Sequence, residues 1–572
     1  MDSKSKPELP GGAPPPRPRR VRWLVAAVAF AALLFTSRSH CSGMLKPAPA
    51  APVCVQERPL VPEKNGALWS ELTALHATDA FLMRAVAQLS AAIQIPTETF
   101  DEMGPVGEDP RWITRGPFVE HLREAFPRVH ASLDLQKVNT YGLIYTWQGS
   151  DETLKPLLLM GHYDVVPVPS LSVDQWTFPP YSGHFDGENI WGRGTSDDKC
   201  GVIGAMTAIE VLLEKDFVPT RTIVLSFGFD EEAGGIHGAG HLGPVLLERF
   251  GPDSFAMIVD EGSGVYESYG ALFATPGIAE KGYVNINIEI QTPGGHSSVP
   301  PAHTSIGMLS SVVVHLENNA PTPALEVGTA PFQMAQCYGA HGPDVPRKLK
   351  KAILRADRDE KALKEAEEML LQDRMFKALA GTTQAVDIIS GGVKSNALPE
   401  QAQVVVNHRI ATTSSVHAIT TRDAELTKEL ATRFNLSVTA YGELLTPADA
   451  PAYGALSLSA LRALEPAPVT PSVARPFRLL AGSIRATFAA ARAGKDTADK
   501  EVFVSPGMMT GNTDTRFNWK LSKHIFRYGH NMIDVSDLNG LHTVDERIRA
   551  DAFVEMITFF TTLILNADEA EL

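Results

Sequence analysis

Thiols are scarce in this chain: four cysteines among 572 residues cannot build a disulfide scaffold. Cys41 and Cys54 are close enough in sequence for one bridge in the N-terminal segment, while Cys200 and Cys337 read as free, buried thiols. Basic charge is also short. Lys and Arg total 51 against 66 Asp and Glu, a formal net charge of -15. That removes the electrostatic basis for holding nucleic acid, and an acidic surface otherwise mostly serves solubility. No internal repeat is evident. The apolar run from Trp23 to Phe35 falls short of the roughly 17–25 residues that a membrane span needs.

What is present is globular. The chain is 44% hydrophobic and 20% charged, with length for two or three domains. Arg17, Arg19, Arg20 and Arg22 precede the apolar run, behind a Pro/Gly-rich segment expected to be disordered. A basic flank before an apolar run reads as a secretory signal, and no small-x-small cleavage site follows it. We therefore expect a cytosolic disordered tail (1–22), an uncleaved signal anchor (23–37) and an Ala/Pro-rich stalk (38–64) that ties a lumenal enzyme to a membrane; secretion after cleavage is the alternative. The sequon Asn435-Leu436-Ser437 agrees with a lumenal, glycosylated chain.

Beyond the stalk, residues 65–282 alternate strands and helices. Val138 to Trp147, Pro156 to Met160, Thr222 to Phe229 and Phe255 to Val259 read as strands; Ile203, Met206, Ile209 and Leu213 share one helical face. The expected fold is α/β, with a mostly parallel sheet covered by helices on both faces. From Tyr283 the pattern changes. Val284, Ile286, Ile288 and Ile290 alternate with polar residues, as in a sheet wet on one face. Residues 283–442 are expected to form an inserted α+β lid domain, its charged stretch 347–379 being a solvated helical face. The α/β pattern returns over 443–572 and closes with a helix from Ala552 to Asn566.

The chemistry gathers at strand ends. MGHYDVVPV follows a leucine strand, turns at Gly161 and presents His162 and Asp164. Asp197 stands just before a helix; Glu231 and Glu232 follow one strand, Asp260 and Glu261 another. Open α/β sheets place their sites at these ends. His162, Asp197, Glu232, Asp260 and His542 supply nitrogen and carboxylate donors without thiolate, a mix that suits Zn2+, with Mn2+ or Co2+ conceivable. A paired-metal site would polarise a carbonyl and activate a water, and an acid beside a ligand could take that water's proton.

The ordered motifs GHYDVVPV, WGRGTSDDK, FGFDEEAGG, IVDEG, TPGGHSS, GNTDTR and GLHTVDE resemble the di-zinc aminoacylase/carboxypeptidase superfamily of metallopeptidases, above all its fungal vacuolar Gly-Xaa carboxypeptidases. The resemblance covers about residues 65–570. It implies two Zn2+ per subunit: His162, Asp197 and Asp260 hold one, and Asp197, Glu232 and His542 hold the other, with Asp197 bridging. It makes Asp164 the partner that orients His162 and Glu231 the general base. His296 in the lid would stabilise the oxyanion, with Asn396 and Arg409 binding the substrate carboxylate. Thr513 and Asp514 line the pocket or brace it, and Arg516 is a weaker carboxylate candidate. Cys200 stands where much of the superfamily has glycine, and Val544-Asp545-Glu546 where relatives often carry Asn-Glu. The implied reaction is hydrolysis of a C-terminal amide in short peptides, in a vacuole. The alternatives are an N-acyl-amino-acid amidohydrolase and a catalytically silent binding protein. The assembly stays open, since lids in this family often pair homodimers and longer members act alone.

Overall fold

The computed structural model describes residues 53–572 apart from positions 448, 451 and 494–499. The expected tail and anchor, most of the stalk, and Cys41 lie outside these residues.

The larger domain is built on a ten-stranded mixed sheet. Its strands run in the order Asp134–Val138, Gly142–Trp147, Ile223–Gly228, Leu157–His162, Met257–Ser268, Ile525–Met532, Gly277–Glu280 and Gly507–Met509, with Ala271–Ala274 and Val502–Val504 branching from Met257–Ser268. The middle is parallel: Leu157–His162 pairs in parallel with Ile223–Gly228 and Met257–Ser268, and Met257–Ser268 with Ile525–Met532. Antiparallel pairs join the strands Asp134–Val138, Gly142–Trp147 and Ile223–Gly228, Met257–Ser268 to Ala271–Ala274, and Ile525–Met532 to Gly277–Glu280. Gly507–Met509 and Val502–Val504 pair in parallel with their neighbours, so the sheet is mixed rather than mostly parallel as expected. The central strands are buried on both faces, which is why they read as unbroken Val/Ile/Leu runs. Leu157, Leu159, Met257 and Val259 face the helices Lys199–Glu214 and Ala550–Glu569, and Leu158, Met160 and Ile258 face the helix Ala239–Phe250. Ala550–Glu569 is long and apolar enough to cross a membrane, but 89% of that window is buried inside the protein. Its apolarity belongs to the core.

The lid is a separate six-stranded sheet. Val284, Ile286, Ile288 and Ile290 are all buried and pack on the helices Ser305–Asn318 and Val416–Phe434, as their alternation requires. The sheet runs further than expected: Gly454–Leu464 pairs antiparallel with Gly282–Gln291, which carries the lid past 442. The charged stretch is not one solvated face. It forms the helices Arg347–Ile353, Glu360–Leu370 and Arg374–Ala380, whose Leu349, Ile353, Leu370 and Phe376 bury with Phe273 of the catalytic sheet in a third core.

Two cysteine expectations separate. Cys200 is free and buried. Cys337 is not free; it bonds to Cys54 across 283 residues. The end of the stalk is therefore fastened down. Gln56 exchanges hydrogen bonds with the Val504 backbone, and the Leu60 amide donates to the Gly482 carbonyl.

Candidate metal centre and active site

His162 ends the central strand Leu157–His162, and Glu231 and Glu232 form the turn after its parallel neighbour Ile223–Gly228. The chain does not turn at Gly161. It stays in the strand, and glycine is needed because a Cβ would sit 2.6 Å from the Asp198 carboxylate. Asp197 ends the loop before the helix Lys199–Glu214, and its peptide bond to Asp198 is cis. His542 returns from beyond the lid on a loop after Ile525–Met532.

Asp197 sits at the centre. Its Oδ1 lies 3.0 Å from Nε2 of His162, and its Oδ2 lies 3.0 Å from Nε2 of His542. Glu232 Oε2 is 3.2 Å from the same His542 nitrogen, and Glu261 Oε1 is 3.4 Å from that of His162. Donor atoms of His162, Asp197 and Glu232 lie within 4.8 Å of one another, as do those of His162, Glu231 and Glu261. Asp164 does more than face His162 Nδ1 at 3.3 Å. Its carboxylate also accepts the backbone N–H groups of Glu231 and Glu232, which fixes the acid turn against the histidine strand.

The electrostatics of these atoms call for positive charge. Burial opposes protonation of His162, yet the carboxylates of Glu261, Asp164 and Asp197 raise its pKa well above the usual value. Burial, reinforced by Glu261, pushes Glu231 well above the carboxylate range; burial beside Asp197 takes Glu232 up to about 7. Glu261 is raised by burial beside Asp197, and His542 is drawn up to about 10 by its bonds to Asp197 and Glu232. So many buried acids cannot all ionise together without cations among them. The donors are imidazole and carboxylate without thiolate, which fits a borderline divalent ion such as Zn2+.

Glu261, rather than Asp260, stands beside His162. Along the strand, Met257 and Val259 face the helix that follows Asp197, and Glu261 continues that side by the two-residue period; Asp260 continues the side of Ile258. Asp260 accepts the Glu261 amide through Oδ1, while its buried Oδ2 has no hydrogen-bond partner. The period-two pattern does not predict Glu261 beside His162, since His162 continues the side of Leu158 and Met160; the strand's register shifts just after Asp260, and that irregularity accompanies the approach of Glu261 to His162.

The lid residues bond to partners other than the acids. His296 and Asn396 are exposed at the lid tip; the His296 ring bonds to Ser298, and the Asn396 carbonyl accepts the Ser297 amide. Arg409 reaches the catalytic domain. It donates to Asn512 Oδ1 at 3.2 Å and lies over the Tyr283 ring, with no carboxylate partner among the described residues. Arg516 donates to the Tyr283 hydroxyl. Thr513 is a brace: its amide and hydroxyl both donate to Glu280, which is ion-paired to buried Arg527. Asp514 is buried beneath the acid turn, with one oxygen crowding Gly228 and the other Gly235.

The profile of peptidase family M20/M25/M40 matches residues 158–566. The chain belongs to this family. It is 40% identical over 526 residues to carboxypeptidase S of Saccharomyces cerevisiae, covering 91% of this chain and 89% of that protein. It is 31% identical to the N-fatty-acyl-amino acid synthase/hydrolase of Homo sapiens, over 84% of this chain and 87% of that one. The fold matches an M20 family metallo-carboxypeptidase of Sulfolobus solfataricus with a TM-score of 0.55 at 16% identity, covering 85% of this chain and 99% of that one. As a member of this peptidase family the chain is a hydrolase, and the acid cluster lies within the matched segment.

Proposed function

We propose that the protein is a di-zinc metallocarboxypeptidase of the Gly-Xaa type, which hydrolyses the C-terminal amide of short peptides. The carrying observation is the placement of one Asp197 oxygen against each of two histidines, 3.0 Å on either side. His162, Asp197 and Glu261 would hold one ion; Asp197, Glu232 and His542 would hold the other. Bound there, the ions would supply Lewis acidity to the scissile carbonyl and lower the pKa of the attacking water.

The chain's own residues do the rest. Glu231, with its pKa raised by burial, accepts the water's proton and returns it to the departing amine. Asp164 keeps Glu231 and His162 in register. Arg409 grips the substrate carboxylate, for which its planar fork is suited. His296 and Asn396 reach the substrate when the lid and the acid cluster come together, and His296 then donates to the oxyanion. A homodimer paired through the lid is one route to that approach.

A second reading has its own support. The human relative is named as acting on N-fatty-acyl amino acids, and the same atoms would cleave an N-acyl amino acid. We place the enzyme in a lumenal compartment, a vacuole by its resemblance, on a signal anchor. The Cys54–Cys337 disulfide supports an oxidising surrounding. Assay of the purified protein on blocked dipeptides and on N-acyl amino acids, with and without chelator, tests both readings. Chelator-sensitive cleavage of dipeptides is expected. Turnover that survives complete metal removal refutes the proposal, and a preference for long acyl chains selects the second reading.

A further inference from the structure

Asp197 and His542 are separated by 345 residues, and both stand in irregular loops. The loop that carries His542 is under backbone strain: His542 has φ +57° and Asp545 φ +61°, a left-handed region that side chains with a Cβ avoid. Something must hold it there. Glu546 is fully buried, and its Oε1 accepts the amides of Gly194 at 3.0 Å and Ser196 at 2.9 Å. Its Oε2 accepts from Arg193 Nη1 at 2.6 Å, in a pair that is itself buried. The Gly192 amide donates to the Glu546 carbonyl, and the Ser196 hydroxyl to the Arg547 carbonyl. Arg193 precedes Asp197 by four residues, and Glu546 follows His542 by four. Neither side chain joins the donor cluster.

We propose that Arg193 and Glu546 are positioning residues, a clamp that sets the spacing of Asp197 and His542 and so holds the second metal position selectively. This rests on the ligand reading given under Proposed function. The selectivity follows from the scaffold. His162 and Glu261 lie in adjacent strands of the parallel sheet, whose hydrogen bonds place them without Glu546. His542 has a side chain 51% exposed, against 1% for His162, and depends on its loop alone. Removing outer hydrogen-bond partners of a ligand typically weakens metal affinity by about 10–100-fold.

The test is calorimetric titration of Zn2+ into the metal-stripped full chain, for wild type, Glu546→Gln, His542→Ala and the double variant, with thermal midpoints of the metal-free forms. Wild type should take two ions. Glu546→Gln should weaken the second by about 10–100-fold and leave the first unchanged. In the His542→Ala background, Glu546→Gln should change nothing further in the ion that remains. If Glu546→Gln does not fold, Ser196→Ala removes one tie without uncovering a buried charge and should shift the second ion in the same direction by less. Equal weakening of both ions, or a lower metal-free midpoint with both affinities intact, overturns the clamp. A wild type that takes fewer than two ions, or a His542→Ala variant that still takes two, overturns the ligand assignment and the clamp with it.

Discussion

Glu261→Gln and Asp260→Asn form a pair of variants whose effects differ sharply if the strand is read correctly. Glu261 Oε1 is 3.4 Å from His162 Nε2. At an effective dielectric constant of about 20, a unit charge at that distance is worth about 5 kcal/mol to a cation at the histidine. That figure, between three and four powers of ten, is an upper bound, since the amide keeps an oxygen donor and loses only the charge. The expected loss of Zn2+ affinity at the first position is about 10²- to 10³-fold. Asp260 differs. Burial raises its pKa to about 6, one oxygen caps the Glu261 amide and the other has no partner. A neutral isostere there should cost about 1 kcal/mol of stability or less and leave both ions bound. Competition against a chromophoric chelator near neutral pH reads both affinities. If Asp260→Asn strips the first ion while Glu261→Gln binds as wild type, the placement of Glu261 at the first position is wrong.

Glu231→Gln should retain two Zn2+ by metal analysis and lower kcat by about 10²- to 10⁴-fold, the usual share of a positioned base; undiminished turnover would remove Glu231 from that role. Arg409→Ala should raise KM about 10–100-fold for peptides with a free C-terminal carboxylate, the equivalent of a charge-assisted hydrogen bond, and leave C-terminally amidated analogues unaffected. Glu232 moves from 4.5 to about 7, Asp260 from 3.8 to about 6, and His542 from 6.5 to about 10. In each case the folded state binds protons more tightly than the unfolded state, so stability is lost as pH rises. For the two acids this loss begins near their unfolded values and runs to about 6 and 7; for His542 it runs from 6.5 towards 10. Asp197 and Asp164 are lowered, and their contribution is already complete above 3.8. Thermal scans of metal-stripped protein should therefore show a midpoint that falls from pH 5 to pH 8, with a Zn2+-induced gain that grows over the same interval. Cys337→Ser should cost about 2–4 kcal/mol in denaturant titration, as expected for a cross-link closing a long loop, and expose the 54–61 arm to proteolysis.

The histidines and acids of the cluster were legible because their chemistry is local: a donor at a strand end needs a particular residue type beside a particular turn. His162, Asp197, Glu232 and His542 converge as expected. The misread features depend on partners far away in sequence. Nothing near Cys54 announces Cys337, because the bond is made to the helix Ala330–His341, 283 residues away, which packs with Phe273 of the larger sheet. The strand Gly454–Leu464 is half-exposed along much of its length, so it lacks the buried run that marks the central strands, and pairing with Gly282–Gln291 and Leu436–Ala440 assigns it to the lid. The helices of 347–379 carry enough charge to look solvated, yet a few apolar residues per helix suffice to bury one face.

Asp260 and Glu261 show a different limit. Both are acids at the end of the right strand, and residue type cannot separate them. Alternation along the strand cannot either, because the register shifts just after Asp260 and His162 has the parity of Asp260; only the three-dimensional placement, Glu261 3.4 Å from His162, separates them. Glu231 and Glu232, by contrast, stand in a 3-10 turn rather than a strand, and it is this turn that separates their carboxylates. Adjacent in one turn and both held through their amides by Asp164, they send carboxylates to different histidines, Glu232 towards His542 and Glu231 into the group of His162 and Glu261. One acid is thus left beside the first position and one is committed to the second. A turn that presented both to the same histidine would have no group free to carry the proton.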